Sequence, residues 1–403
     1  MGKDQHKNNT PQAPNPGYIP YGRQHISEAD IEAVIDVLRS DFITQGPAVP
    51  AFEQGVSSYC GAKHGIAANS ATSALHLACR SLGVRPGDSV WTSPITFTAS
   101  ANCALYCGAQ IDFVDIDPLT FNLSVPALSE KLAQAEKSGL LPKVVIPVHM
   151  CGQSCDMEAI FALGQQYGFA IVEDASHAIG GKYLGEPIGN CRYSDITVFS
   201  FHPVKIITTG EGGMALTNNS NLAEKMTLLR NHGITRDHEQ MTRAPDGEWY
   251  YQQIDLGHNY RMTDLQAALG LSQLKQIDKF VLQRHAIAQK YDASLKGLPL
   301  SIPWRHSDCY SAMHLYVVRL KSEAMGKTRK TVFEEMRNAG IGVNVHYIPV
   351  YRQPYYENIG FKEGYCVEAE RYYHEAISLP MFPSLRALQQ DYIINQLTKL
   401  STR

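Results

Sequence analysis

The 403-residue sequence lacks a charge imbalance and a long hydrophobic run. Its 36 basic and 39 acidic residues give a net charge of −3, so we expect no nucleic-acid partner and no attraction to an anionic membrane. No apolar run approaches the roughly 18 residues that a membrane-spanning helix needs. The polar segment 1–17 has no apolar centre, which predicts a disordered tail rather than a signal peptide.

Paired cysteines and common ligand motifs are also missing. The nine cysteines are an odd number scattered through predicted helices and strands, which is typical of reduced thiols in a cytoplasmic protein. His149, Cys151 and Cys155 lack a second pair of ligands at zinc spacing, so we expect no metal site. Neither a GxxxxGK(S/T) loop nor a convincing GxGxxG occurs, which argues against ATP and NAD as ligands.

Short apolar segments alternate with helical patterns over the first two thirds of the chain. Strands that are apolar on both faces and separated by helices predict an α/β fold with a mostly parallel sheet between helices. The predicted strands are 65–68, 89–91, 110–114, 143–148, 170–173, 196–200 and 213–217.

Three regions are predicted along the chain. Residues 1–17 form the tail, 18–280 an N-terminal arm and a large domain, and 281–403 a connecting helix and a smaller C-terminal α+β domain. The small domain is expected to hold strands at 314–320 and 342–347 with a helix at 327–339 between them. A first helix at 26–38 is expected to begin at Ser27, which has Asp30 three residues later.

Lys205 is the most informative residue, because it follows the buried strand 196–200 and precedes the turn Gly210-Glu-Gly-Gly213. A second buried strand, 170–173, ends at Asp174. Lysine is rarely buried without a chemical reason, and a desolvated carboxylate needs a cation. Pyridoxal phosphate uses both, since a lysine binds its aldehyde and a carboxylate keeps its ring nitrogen protonated.

A candidate phosphate-binding segment, Ser70-Ala71-Thr72, lies between the strand 65–68 and a helical pattern. Small residues let a ligand approach the backbone, and a helix N-terminus carries roughly half a positive charge. Ser200 is a further hydroxyl for the same phosphate. Taken alone, the segment is more typical of an ordinary helix cap than of a phosphate site.

Together these segments resemble the DegT/DnrJ/EryC1/StrS sugar aminotransferases, which have the fold type I aminotransferase fold. The family pattern is serine-glycine-threonine, then aspartate with histidine or glutamine three residues later, then lysine before GEGG. In this chain the pattern corresponds to Ser70-Ala71-Thr72, Asp174 with His177, and Lys205 before Gly210–Gly213. The resemblance extends from about residue 19 to near the C-terminus.

The resemblance implies roles for individual residues. Lys205 would be the catalytic residue and Asp174 would bind the ring nitrogen of pyridoxal phosphate. Phe97 would stack on the ring and His177 would bind its phenolic oxygen, although a core phenylalanine and a structural histidine are the alternatives. Asn259 would reach the phosphate of a neighbouring subunit in a homodimer with shared sites.

Within the family, the chain is most similar to the aminotransferases of pseudaminic acid biosynthesis. This subgroup implies L-glutamate and a UDP-linked 4-keto-6-deoxy amino sugar as substrates, with Tyr21, His346 and Tyr347 as candidate sugar-nucleotide contacts. The chain departs from the family at Tyr351, where a histidine near the sugar site is usual.

Two other functions remain open at this stage. One is an aminotransferase for a different nucleotide-linked keto sugar, and the other is a non-catalytic protein that binds pyridoxal phosphate. Some relatives are dehydratases with histidine at the lysine position, so Lys205 favours transamination. Lys205, Asp174 and the candidate phosphate-binding segment are all present, which argues against the non-catalytic alternative.

Overall fold

Helices and short strands alternate along the computed structural model, which describes residues 17–401. The strands are β1 (His64–Ala68), β2 (Ser89–Thr92), β3 (Gln110–Phe113), β4 (Val144–Ile146), β5 (Ala170–Asp174), β6 (Lys182–Tyr183), β7 (Glu186–Pro187), β8 (Ile196–Ser200), β9 (Gly213–Thr217), β10 (Ile234–Thr235), β11 (Gln252–Gln253), β12 (Leu300–Ser301), β13 (Cys309–Tyr310), β14 (Tyr316–Leu320) and β15 (Ala376–Leu379). The predicted tail 1–17 lies outside the described residues except for Gly17.

Fourteen α-helices lie within the described residues, and several of them pack on the larger sheet. They are α1 (Glu28–Arg39), α2 (Ala48–Cys60), α3 (Ala71–Ser81), α4 (Ala99–Tyr106), α5 (Val125–Ser138), α6 (Met157–Tyr167), α7 (Ser220–Arg230), α8 (Asp264–Leu274), α9 (Ile277–Leu295), α10 (Ser322–Met325), α11 (Arg329–Asn338), α12 (Pro354–Asn358), α13 (Val367–Glu375) and α14 (Ala387–Ser401). No helix within residues 17–401 is long and apolar enough to cross a membrane.

The main sheet has seven strands in the order β1-β9-β8-β5-β4-β2-β3. The strands from β8 to β3 are parallel, and β9 is antiparallel to both β8 and β1. Every residue of β8 and β9 is buried, as expected for strands covered on both faces. The predicted mostly parallel sheet is therefore confirmed, and the carboxyl ends of β5 and β8 lie side by side.

Gly213 joins the two parts of the sheet that carry the predicted cofactor residues. It pairs with Ala68 of β1 on one side and with Ser200 of β8 on the other. The reversal of β9 therefore brings the start of α3, which follows β1, next to the end of β8. Sequence-distant segments meet here because one short antiparallel strand lies between them.

A three-stranded antiparallel sheet, in the order β12-β14-β15, forms the core of the C-terminal part. The predicted strand at 314–320 corresponds to β14, and the predicted helix at 327–339 to α11. The predicted strand at 342–347 is wrong. This segment makes a single bridge, between Asn344 and Ser378, while Gly342 donates its amide to the carbonyl of Ile19. Because its backbone hydrogen bonds are divided between two segments, the segment does not form a strand. The strand that pairs with β14 is β15 instead.

The structure gives the start of α1 and the extent of α9, and both can be compared with the sequence predictions. Ser27 caps α1 in a reciprocal capping box with Asp30, as its spacing predicts. Helix α9 (Ile277–Leu295) runs across the predicted domain boundary at residue 280 and packs against α14. The division of the chain at residue 280 stays a prediction.

Candidate active site

A cavity of about 990 Å³ opens at the carboxyl ends of β5 and β8. All the predicted cofactor and sugar residues line it except Asn259. They are Tyr21, Ser70, Ala71, Thr72, Phe97, Asp174, His177, Ser200, Lys205, His346 and Tyr347. These side chains come from both ends of the sequence, so their convergence depends on the sheet order and on the return of the C-terminal segment.

Lys205 lies in the loop that joins β8 to β9. The loop is closed by a hydrogen bond from the amide of Phe201 to the carbonyl of Gly212 (2.9 Å). Within it, the backbone amide of Lys205 donates to the carbonyl of His202 (2.9 Å). Burial lowers the pKa of Lys205 to about 8, although the charge of Asp174 acts in the opposite direction. A fraction of the side chain is therefore a neutral amine near pH 7, as a nucleophile or a base requires.

Asp174, the last residue of β5, is buried with both carboxylate oxygens hydrogen-bonded. Its Oδ2 accepts from the hydroxyl of Ser100 (2.6 Å), and its Oδ1 accepts from the backbone amide of Ser176 (3.1 Å). The backbone of Asp174 is also fixed, because its amide donates a hydrogen bond to the carbonyl of Pro147 (2.9 Å). These contacts hold the carboxylate in one orientation at the wall of the cavity.

His177 is buried beside the tyrosine of the C-terminal segment. Its Nε2 lies 3.2 Å from the hydroxyl of Tyr347, and its Nδ1 has no hydrogen-bond partner within the described part of the chain. Burial, together with the nearby charge of Lys205, lowers the pKa of His177 well below its ordinary value, so the ring is neutral. An unpartnered buried nitrogen is a hydrogen-bonding atom available to a ligand.

The start of α3 has the geometry of an anion site. Ser70 is the N-cap, and its hydroxyl accepts from the Ser73 amide (3.1 Å). The first helical amides, of Ala71 and Thr72, have no acceptor within their own helix and lie at its positive end. Gly213 packs directly against this turn, since a Cβ at that position would lie 2.4 Å from the Ala71 nitrogen.

We expect Gly213→Ala to weaken the binding of pyridoxal phosphate by about tenfold or more and to lower stability by about 1–3 kcal/mol, the usual cost of overpacking. The new methyl group would displace the Ala71 amide from its position. Titration of the apoprotein with the cofactor, followed by visible absorbance, measures this effect. Gly22→Ala is the matched control, because its Cβ would meet nothing closer than Val204 at 3.4 Å. Equal affinities for the two variants would contradict the proposed phosphate position.

The opposite wall of the cavity carries aromatic rings. The ring centroids of Tyr21 and His346 are 5.2 Å apart, and His346 Nδ1 lies 2.8 Å from the Ser378 hydroxyl. Burial, with a smaller effect of Lys205, lowers the pKa of His346 to about 3, so this ring is neutral. Phe97 is 62% exposed at the mouth, 6.5 Å from the ring of Tyr347. An exposed aromatic ring at a cavity mouth is available to stack on a ligand.

Two residues singled out from the sequence do not line the cavity. Asn259 is exposed, and its carbonyl accepts from the Asn69 side chain (3.4 Å). Tyr351 is fully buried, and its hydroxyl donates to Glu370 (2.7 Å). The tyrosine at the position of the family histidine is thus a core residue in this chain. Its difference from the family does not place a new side chain in the cavity.

Ser100 and His314 are two of the residues at this site that sequence reasoning missed. Ser100 contacts Asp174, which lies 74 positions later in the chain, and the ring of His314 packs 4.3 Å from that of His177. Neither contact has a local signal. Ser100 lies four residues after Thr96, in the segment that contains Phe97. This helical spacing was the one indication in the sequence that the side chains of Thr96 and Ser100 lie on the same face of a helix.

The cysteine and histidine cluster considered for a metal is engaged in other contacts. His149 Nε2 donates to Glu173 (2.6 Å), and His149 Nδ1 accepts from the Cys155 amide (3.1 Å). Both ring nitrogens are therefore occupied. All nine cysteines have free thiols, and residues 17–401 contain no group of three or more candidate metal ligands.

Comparison with known proteins gives extensive similarity over almost the whole chain. A spore coat polysaccharide biosynthesis protein, SpsC, of Bacillus subtilis is 38% identical over 380 residues, covering 94% of this chain and 95% of that protein. The UDP-4-amino-4,6-dideoxy-N-acetyl-beta-L-altrosamine transaminase of Campylobacter jejuni is 36% identical over 364 residues, covering 90% and 92%.

Solved structures share the fold. Helicobacter pylori PseC, an aminotransferase involved in the biosynthesis of pseudoaminic acid, is 31% identical with a TM-score of 0.86, covering 95% of this chain and 99% of its own. A putative sugar aminotransferase from Streptococcus pneumoniae, solved in its PLP form, is 31% identical with a TM-score of 0.85, covering 95% and 98%.

The residues of the cavity fit pyridoxal phosphate. Lys205 has a lowered pKa, as an amine that binds an aldehyde needs, and Asp174 is a fixed carboxylate for a ring nitrogen. The amides at the start of α3 suit a phosphate. The profile of the DegT/DnrJ/EryC1/StrS aminotransferase family matches residues 24–398. The chain therefore belongs to the DegT/DnrJ/EryC1/StrS family and is a sugar aminotransferase that depends on pyridoxal phosphate.

Proposed function

We propose that this enzyme transfers the amino group of L-glutamate to C4 of UDP-2-acetamido-2,6-dideoxy-β-L-arabino-hexos-4-ulose in pseudaminic acid biosynthesis. The observation that carries the proposal is the similarity to the Campylobacter transaminase over 90% of the chain and to PseC over 95%. The cavity supports it, because Lys205 and Asp174 lie in one site with room for a sugar nucleotide. A pocket of several hundred Å³ is typical for such ligands.

Pyridoxal phosphate, when bound, supplies an aldehyde that takes up the amino group and a protonated ring that stabilises negative charge on the reacting carbon. In this proposal Lys205 Nζ removes the proton from Cα of glutamate. In the second half of the reaction it delivers a proton to C4 of the sugar. A pKa of about 8 leaves both forms of the amine populated near neutral pH, so the same group can accept and release a proton.

The remaining site residues bind and orient in this proposal. Asp174 holds its negative charge next to the ring nitrogen, and neutral His177 binds the phenolic oxygen through a ring nitrogen. Phe97 covers one face of the ring and shields it from water. Neutral His346, with the hydroxyls of Tyr21 and Tyr347, contacts the sugar nucleotide through uncharged hydrogen bonds.

We further propose that the enzyme acts as a cytoplasmic homodimer with shared sites. A UDP sugar carries two phosphate groups, yet Lys205 is the single lysine or arginine among the described residues that line the cavity. Additional positive charge would then have to come from a second copy of the chain. The proposed donors to the neighbouring site are Arg261, which would supply positive charge, and Asn259, which would supply a neutral hydrogen bond. Both lie outside the cavity of their own subunit.

The proposal is tested with the visible absorbance of the purified protein loaded with pyridoxal phosphate. L-Glutamate should remove the absorbance of the lysine-bound cofactor, and the L-arabino keto sugar should restore it. The matched control is the C5 epimer of the same UDP-linked keto sugar, which should restore it at least tenfold more slowly.

Other outcomes assign a different substrate. If glutamate removes the absorbance and the L-arabino sugar does not restore it, the enzyme acts on another nucleotide-linked keto sugar. The similarity to the Bacillus spore coat protein makes this the main competing assignment. If only amino acids other than glutamate remove the absorbance, the proposed donor is wrong.

A further inference from the structure

Ser100, in the first turn of α4, is the side chain in closest contact with Asp174. It is fully buried, and its Oγ lies 2.6 Å from Asp174 Oδ2. The hydroxyl of Thr96, also buried, lies 2.7 Å from Ser100 Oγ on the other side. Three oxygen atoms from two separate segments thus form a short chain that ends on the carboxylate.

The direction of the hydrogen bonds in this chain follows from the donors available. An ionised carboxylate only accepts, so the single proton of the Ser100 hydroxyl is donated to Asp174. The Thr96 hydroxyl then donates to Ser100 Oγ. The carbonyl of Phe97 is a competing acceptor for Ser100 at 3.3 Å, but the bond to the carboxylate is shorter and assisted by charge.

A role in capping α4 does not account for Ser100. The N-cap of α4 is Thr98, which makes no side-chain capping bond, and Ser100 lies inside the first turn. A serine in a helix interior usually faces solvent or bonds a preceding carbonyl. Here the hydroxyl is removed from water and directed to a residue of another element.

We propose that Ser100 is a positioning residue that fixes which side of the Asp174 carboxylate faces the cofactor ring. The inference depends on the proposed contact between Asp174 and the ring nitrogen. By holding the carboxylate in this orientation, Ser100 keeps the proton that lies between carboxylate and ring on the ring nitrogen. Thr96 sets the direction of the Ser100 hydroxyl and thereby reinforces the effect.

The experiment measures the protonation of the ring nitrogen directly, with ¹⁵N-labelled pyridoxal phosphate bound to the full-length enzyme. The ¹⁵N chemical shift is followed against pH in the wild type, Ser100→Ala, Ser100→Thr and Asp174→Asn. The rate with glutamate alone is measured in the same samples, so the identity of the sugar does not enter. Circular dichroism verifies that each variant is folded.

In Ser100→Ala the ring nitrogen should lose its proton at a lower pH than in the wild type, and the glutamate reaction should slow by about tenfold, as expected for one charge-assisted hydrogen bond. Ser100→Thr, which keeps the hydroxyl, should restore the wild-type titration. A purely structural role for Ser100 would change stability without moving the ¹⁵N titration.

Three results overturn the proposal. If Asp174→Asn moves the titration and Ser100→Ala does not, Asp174 acts without Ser100. If both serine variants move it equally, packing rather than the hydroxyl is responsible. If even Asp174→Asn leaves it unchanged, the contact between Asp174 and the ring is itself wrong, and the role of Ser100 fails with it. The substrate proposal is unaffected by any of these.

Discussion

Lys205→Ala is expected to abolish turnover, with a loss of at least about 1,000-fold, while the protein stays folded and binds pyridoxal phosphate non-covalently. The variant removes the amine that moves the proton at Cα of glutamate and at C4 of the sugar, and acid–base catalysis alone accounts for about 100- to 10,000-fold. The phosphate contacts at the start of α3 and the carboxylate of Asp174 remain in place, so cofactor affinity should fall less than the rate.

The measurement combines steady-state rate with mass spectrometry after borohydride reduction. Reduction should fix the cofactor to the wild type and leave the variant without the added mass. Lys225→Ala, a change of an exposed lysine on α7, is the matched control and should behave like the wild type. Turnover within tenfold of the wild-type rate in Lys205→Ala would exclude Lys205 as the catalytic base.

Asp174→Asn should slow the reaction with glutamate by about 100- to 1,000-fold, the range for loss of one preorganised electrostatic contact. The amide has nearly the same shape and can still accept the hydrogen bond from the Ser176 amide. It carries no charge, however, and therefore no longer stabilises a protonated ring nitrogen. Stopped-flow absorbance of the cofactor-loaded protein after mixing with glutamate gives this rate.

Glu173→Gln is the matched control for Asp174→Asn. Glu173 is the preceding residue of β5 and equally buried, but it bonds His149, Ser194 and Thr197. It does not line the cavity. Loss of this buried charge should lower the stability while leaving the glutamate rate within a few-fold of the wild type. If Glu173→Gln slows the reaction as much as Asp174→Asn, the effect reflects general damage to β5.

The positions of Lys205 and Asp174 were predictable because each follows a strand whose apolar residues mark it as buried. The carboxyl ends of neighbouring parallel strands lie at one edge of a sheet, so two such residues are expected close together. The capping box at Ser27 and the start of α3 at Ser70 were predictable for a similar reason, since helix caps depend on residues three positions apart.

The two predictions that were wrong, for the segment 342–347 and for Tyr351, depended on contacts between distant parts of the chain. The segment 342–347 has valines at alternating positions, as a strand does. Its backbone hydrogen bonds are nevertheless divided between Ile19 and Ser378, and Ala376–Leu379 forms the third strand instead. Tyr351 was expected near the sugar and lies in the core, because its ring packs beside Phe113 and its hydroxyl reaches Glu370. Pattern alone does not reveal which surface such a segment will contact.

The sequence by itself determined the family, the cofactor chemistry and the positions of the main strands along the chain, because these depend on short motifs and on local hydrophobic periodicity. Only the tertiary structure decided which side chains from distant parts of the chain come into contact. Ser100 meets Asp174, His177 meets Tyr347, and Gly213 packs against the start of α3. Each contact joins segments far apart in the chain, and their distances are set by the packing of the whole sheet rather than by any local preference.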